Sequence, residues 1–143
     1  MSNKIISFSY TGFPIIDPST GRVINEIFRP IVPIRISYGH HLSRQFDALA
    51  DSGSDRNLFP ASIGEAIGVN FKKIKPIFIT GIGSIQIKAY PIKITLFLGS
   101  NAYTTEADFC FEQRLPLLGR NGFFSLFKGL KFKEKEQFLD IYL

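Results

Sequence analysis

The sequence predicts a mainly β protein with one or two short helices. Apolar residues recur at period two or in short runs rich in β-branched and aromatic types, and Gly, Pro, Asn and Ser separate the runs at close intervals. Only two stretches carry helix punctuation. At 143 residues, 45% of them apolar, the chain has enough material for one compact core without a disulfide or a metal, since a chain of this size buries roughly 68–70% of its unfolded surface.

In chain order, the predicted strands are residues 4–10, 31–38, 45–50, 76–80, 85–90, 92–98, 103–111 and 137–143. Between the first two, Asp17-Pro18-Ser19-Thr20-Gly21 reads as a surface turn, because Asp and Ser bond their own backbone and Gly admits positive φ. Gly99-Ser100-Asn101 reads as the turn of a hairpin for the same reason. One short helix is predicted over 61–67, entered at Pro60 and stopped at Gly68. The other is predicted over 123–127, stopped at Gly129 and followed by a Lys-rich stretch. No repeat or linker interrupts the chain, so one domain spans nearly all of it.

Composition removes several classes of function. Cys110 is the one cysteine, which rules out an internal disulfide framework and a zinc-finger ligand set and fits a reducing, cytoplasmic setting. The first ten residues alternate polar and apolar types and do not form a signal peptide. No apolar run approaches the ~20 residues that span a bilayer, so no membrane partner is expected. The charge of +5 bears on encounter and solubility more than on activity. The fifteen Phe lie mostly in core-like runs rather than in a base-stacking platform, so no nucleic acid is expected. Adjacent His40 and His41 point to opposite faces of a strand, which argues against a metal site. No cofactor is implied.

Three short pieces carry chemistry. The apolar run 46–50 ends on Asp51-Ser52-Gly53-Ser54-Asp55. Apolar neighbours can desolvate an acid in that place while the glycine admits backbone N–H donors, a setting in which a carboxyl exchanges protons near neutrality. The same three residue types also make ordinary turns. Two strand-like arms then flank the glycine-rich tip Thr80-Gly81-Ile82-Gly83-Ser84, which reads either as a plain hairpin or as a lid that closes over an extended peptide. Finally, Leu117-Leu118-Gly119-Arg120-Asn121 leads into the second helix, and Arg120 is suited to hold a carboxylate such as Asp55 in a bidentate grip.

In this order and at this spacing, the three pieces resemble the retropepsin-like aspartic proteases. The likeness spans about residues 31–143, which implies that these form the domain and that residues 1–30 are an N-terminal extension packed on it. It implies a closed, barrel-like acid-protease fold and an endopeptidase that uses two facing carboxylates. Because the chain holds one Asp-Ser-Gly triplet, the resemblance implies a homodimer in which two copies of Asp51 activate a water that attacks a peptide or protein substrate. On the same footing, Ser52, Gly53 and Ser54 form the active-site loop, Thr80 to Ser84 the flap, and Asp55 with Arg120 a buried structural pair. The terminal strand, 137–143, has the composition to join a sheet shared between the two copies. The alternative is a catalytically silent barrel of the same fold that binds a peptide or protein partner.

Overall fold

The structure, a computed structural model, describes residues 4–80 and 83–143. Its strands in chain order are β1 (Ile5–Ser9), β2 (Thr11–Ile16), β3 (Val23–Arg29), β4 (Ile31–Tyr38), β5 (His41–Leu42), β6 (Phe46–Ala50), β7 (Leu58–Pro60), β8 (Ile77–Thr80), β9 (Gln86–Leu98), β10 (Asn101–Cys110), β11 (Leu117–Leu118), β12 (Gly129–Lys133) and β13 (Phe138–Tyr142). One α-helix, α1 (Ala61–Ala66), follows β7. Two 3-10 turns lie at Phe71–Lys73 and Phe124–Leu126. The expected second helix is therefore a single tight turn, and the Lys-rich stretch beyond it is strand β12, whose Lys131 and Lys133 alternate with Leu130 and Phe132.

The chain divides into two units, residues 33–126 and residues 1–32 with 127–143. This differs from the division at residue 30 that the resemblance implies, because the two chain ends pair with each other. In the terminal unit β13 is the central strand, with β1 antiparallel on one side and β12 antiparallel on the other. Both edges of β13 are thus filled by its own chain, so a sheet shared with a second copy through this strand, as the resemblance suggested, is not open to it. Leu139, Asp140 and Ile141 are all buried, and Asp140 accepts a hydrogen bond from Ser7 Oγ at 2.6 Å and pairs with Lys133 Nζ at 3.2 Å. β2 and β3 form a separate two-stranded ribbon that the sequence reading did not assign. Its turn is the predicted one: Asp17 Oδ1 accepts from the N–H of Ser19 at 2.9 Å, and Gly21 takes φ +72°.

The other unit is a closed barrel. β4, β6, β11, β7, β10 and β9 are neighbours in that order, and β9 returns to pair with β4, so the sheet has no free edge within this ring. Alternating side chains fill its interior: Ile34, Ile36, Phe59, Leu96, Leu98, Phe109 and Leu118 are all buried. β9 is one long strand where the sequence suggested two. Pro91 falls between its pairing with β8 (residues 86–89) and its pairing with β4 (residues 95–97), where one edge is free and a missing N–H is tolerated. α1 packs a face against the barrel through Gly64, where any side chain would strike the Phe71 ring at 2.6 Å.

Candidate functional site

β6 and β11 run parallel, so the chain leaves the barrel at Asp51 with its N–H donating to the carbonyl of Leu118 at 2.9 Å. The next residues turn sharply. Gly53 donates its N–H to Asp51 Oδ1 at 2.9 Å, and Ser54 donates to the Asp51 carbonyl at 3.1 Å. Asp51 is half-buried, less enclosed than the sequence suggested, while Ser52 and Gly53 are exposed. A β-carbon on Gly53 would sit 3.2 Å from that same carboxylate oxygen, so a small residue keeps the amide close to it.

Asp51 opens into a cleft of about 260 Å³. Leu58, Ile79, Ile87 and Leu117 give it apolar walls, and Gly53, Ser54, Asp55, Arg56, Thr80 and Asp108 a polar one. Ile79 and Ile87 are register partners on the β8–β9 hairpin, and both line the cleft. Of the flap residues read from the sequence, Thr80 lines the cleft, and Gly83 and Ser84 sit at the hairpin tip with φ of +89° and +62°. Gly81 and Ile82 lie outside the described residues.

A second segment, 119–122, lies alongside the loop that follows Asp51. Arg120 donates its N–H to the Ser54 carbonyl at 2.9 Å, and Asn121 donates to that of Asp55 at 2.8 Å. Gly119 crosses so near Arg56 that a β-carbon would run into the Arg56 backbone. The side chains of Asp55 and Arg120 do meet, at 3.7 Å, but both are exposed, 83% and 66%, so the expected buried pair is a surface contact. The backbone bonds bring the two segments together, and the paired side chains point outward to water.

An ion pair on a buried carboxylate is one the sequence reading missed. Asp108 on β10 is fully enclosed, and Arg56 meets it with two donors, Nε at 2.5 Å and Nη2 at 2.8 Å. Hydrogen bonding to Asp108 also holds the Arg56 guanidinium more firmly protonated than usual. Arg56 Nη2 reaches Glu106 at 2.7 Å as well. Also missed was Asn57, wholly buried, whose Oδ1 accepts the Gly119 N–H at 3.0 Å and whose Nδ2 donates to the Glu106 carbonyl at 3.1 Å. The available signal was two polar residues, Arg56-Asn57, leading straight into the apolar Leu58-Phe59-Pro60. Among the described residues, no group of three or more His, Cys, Asp or Glu is arranged to hold a metal ion, and no helix is long and apolar enough to cross a membrane.

A closed six-strand ring, an acid leaving one parallel strand pair, and a hairpin lining the resulting cleft define the retropepsin-like fold, and this chain has it. Two solved structures make the likeness particular. A retropepsin-like aspartic protease from Rickettsia conorii superimposes with a TM-score of 0.60 at 13% identity, over 99% of this chain and 94% of that one. The EIAV protease in complex with the inhibitor HBY-793 does so with a TM-score of 0.52 at 17% identity, over 64% of this chain and 82% of that one. No family model and no curated protein matches the sequence.

Proposed function

We propose that the chain is an aspartic endopeptidase whose active unit is a homodimer, with Asp51 of each copy facing the other. The observation that carries this reading is the Asp51 carboxylate, held by the Gly53 amide at the mouth of an apolar-walled cleft that a hairpin helps to line. Two carboxyls brought together at a twofold axis cannot both ionise and so share one proton. The ionised member takes a proton from a water held between them, and that water attacks the scissile carbonyl. The protonated member hydrogen-bonds the carbonyl oxygen as charge develops there. Proton transfer to the leaving nitrogen then breaks the C–N bond. No covalent intermediate is needed. Ser52 and Gly53, exposed beside Asp51, are free to meet the second copy and the peptide backbone, and Thr80 with Ile79 closes over the substrate.

The test compares wild type with Asp51→Asn on a peptide library at acidic and neutral pH. Cleavage by wild type alone is expected, and equal cleavage by both would sink the mechanism.

One observation favours a second reading, a silent barrel that binds peptide without cutting it. With both edges of β13 filled within the chain, a dimer has to use other surfaces. Light scattering separates the readings: a chain that stays monomeric at micromolar concentration and above cannot pair its Asp51 carboxylates.

A further inference from the structure

The terminal sheet has two free edges, because β13 is its centre and no described strand pairs with the far side of β1 or of β12. The two edges differ in kind. β12 carries Lys131 and Lys133, and lysine on an edge strand opposes the approach of another strand. β1 reads Ile5-Ile6-Ser7-Phe8-Ser9, without a charge, a proline or a glycine, and none of its residues is fully buried. We propose that this edge is where a second copy docks: β1 of one chain pairs antiparallel with β1 of the other about a twofold axis at Ser7, and the two terminal sheets become one. The inference rests on the homodimer of the endopeptidase reading and deepens it by naming the surface that joins the copies. It differs from a sheet shared through residues 137–143, since each β13 keeps both of its own neighbours.

The backbone sets the register. Leu143 donates its N–H to the Lys4 carbonyl at 2.9 Å and Tyr10 donates to that of Gln137 at 2.8 Å, so the even-numbered residues of this stretch turn their N–H and C=O groups toward β13. In an antiparallel ladder the direction alternates, which leaves those of Ile5, Ser7 and Ser9 pointing away from it. A twofold axis at Ser7 sets Ser7 against its own copy and Ile5 against Ser9 of the partner subunit, and each such pair exchanges two hydrogen bonds. The same register sets Ile6 against Phe8 of the partner subunit. Ile6 and Phe8 share a face with Ile141 and Leu139, their register partners on β13, and through them with Leu130 and Phe132 on β12. Two apolar rows therefore run on from one copy into the other, and an aromatic ring opposite a β-branched side chain is a favourable cross-strand pair. No like charges are opposed. Lys4 is the one charged residue among 4–10, and it falls opposite Tyr10 of the partner subunit, a residue whose hydroxyl bonds the Glu134 carboxylate in its own chain. Asp140, on the other face, is matched within its own chain by Lys133 at 3.2 Å and by Lys131, its register partner.

The test is amide hydrogen exchange, read by NMR on the full chain over a dilution series, with sedimentation giving the mass and cleavage of a peptide library assayed in parallel. On dimerisation the N–H groups of Ile5, Ser7 and Ser9 are expected to exchange at least about tenfold more slowly, while those of Ile6 and Phe8, already bonded to β13, change little. Ser9→Pro removes an outward N–H that its own sheet does not use, so the sheet should stay and the dimer dissociation constant should rise about tenfold or more. A short bis-maleimide should join Ser7→Cys to its copy and leave Lys131→Cys unjoined, and wild type, whose Cys110 is buried, serves as the blank. If Ser9→Pro does not fold, the Ser7→Cys cross-link decides. A chain that is monomeric throughout the series, a dimer whose Ile5, Ser7 and Ser9 amides exchange as in the monomer, a dimer that Ser9→Pro leaves intact, or a failed Ser7→Cys cross-link overturns the edge. A monomer in which those amides slow only when library peptide is added gives the edge to another chain and overturns it as well. The cleavage assay keeps the two readings apart: a dimer paired through β1 that cuts no peptide leaves the interface standing and removes the endopeptidase, whereas a cutting dimer with unprotected β1 amides does the reverse.

Discussion

The side-chain oxygen of Asn57 accepts the N–H of Gly119 at 3.0 Å across 62 positions of the chain, and this bond ties the segment after Asp51 to the segment that runs beside it. The other end of the same amide holds the Glu106 carbonyl on β10. Three pieces distant in sequence therefore depend on one buried polar side chain. Asn57→Ala leaves a buried donor, the Gly119 N–H, and a partly buried acceptor, the Glu106 carbonyl, without their partner, for which a loss of about 2 kcal/mol is expected. Urea unfolding of the variant measures it, and a loss below about 1 kcal/mol would mean that water or neighbouring groups replace the amide.

Gly119 is a packing glycine, not a turn glycine. Its φ is not positive, but a β-carbon has no room beside the Arg56 backbone, which cannot swing aside as a long side chain could. Gly119→Ala should cost about 3 kcal/mol or more and should separate the loop from its neighbour. Gly129 is the control, since its β-carbon meets nothing within 4 Å and its φ is ordinary. Gly129→Ala should stay within about 0.5 kcal/mol of wild type. Thermal melts of the two variants side by side test the contrast.

The two arginines near the cleft should differ sharply. Arg120 and Asp55 meet at 3.7 Å in water, and such pairs contribute about 0–1 kcal/mol, so Arg120→Ala should be nearly silent in stability. Arg56→Ala leaves Asp108 charged and enclosed with no partner, a change worth about 3 kcal/mol. Much of that loss should be recovered in the double variant Arg56→Met/Asp108→Leu, which removes both charges together. A double variant as unstable as Arg56→Ala would mean that the pair is not the source of the loss.

Acid should loosen the terminal unit through Asp140. The Ser7 hydroxyl bond, with Lys133 and Lys131 nearby, holds its carboxyl below the usual carboxylate range. Its pKa is thus lower folded than unfolded, so its contribution is complete above the ordinary carboxylate value and is lost as pH falls through the folded value. Ser7→Ala should raise the folded-state pKa toward the unfolded value, so the acid-linked loss becomes smaller and is complete at a higher pH. Hydrogen exchange of the β1 and β13 amides across an acid series follows it directly, and an unchanged acid profile in Ser7→Ala would assign the sensitivity elsewhere.

Much of the barrel was legible in the sequence, because period-two alternation and turn residues are local properties. The strand over 31–38 was readable from its alternation alone, and the Asp51-Ser52-Gly53 turn from its residue types. Other elements were less so. β3 is exposed along nearly its whole length and no residue of β2 is fully buried, so the ribbon lacks the deeply buried stripe by which strands are recognised. Strand β12 was hidden by its lysines, whose long stems allow them to stand on a sheet with the charge in water.

What the sequence determined by itself was the mainly β class, the retropepsin-like likeness and the placing of Asp51 at the end of an apolar strand, all of which follow from neighbours along the chain. Only the tertiary structure decided which charges are buried. Asp55 and Asp108 are the same residue type, and nothing in their immediate sequence says that the first faces water and the second is sealed beneath Arg56. The choice is made by pairings across the barrel. A carboxylate's cost of burial depends on what surrounds it in space, and Asp108 is surrounded by a partner 52 positions away.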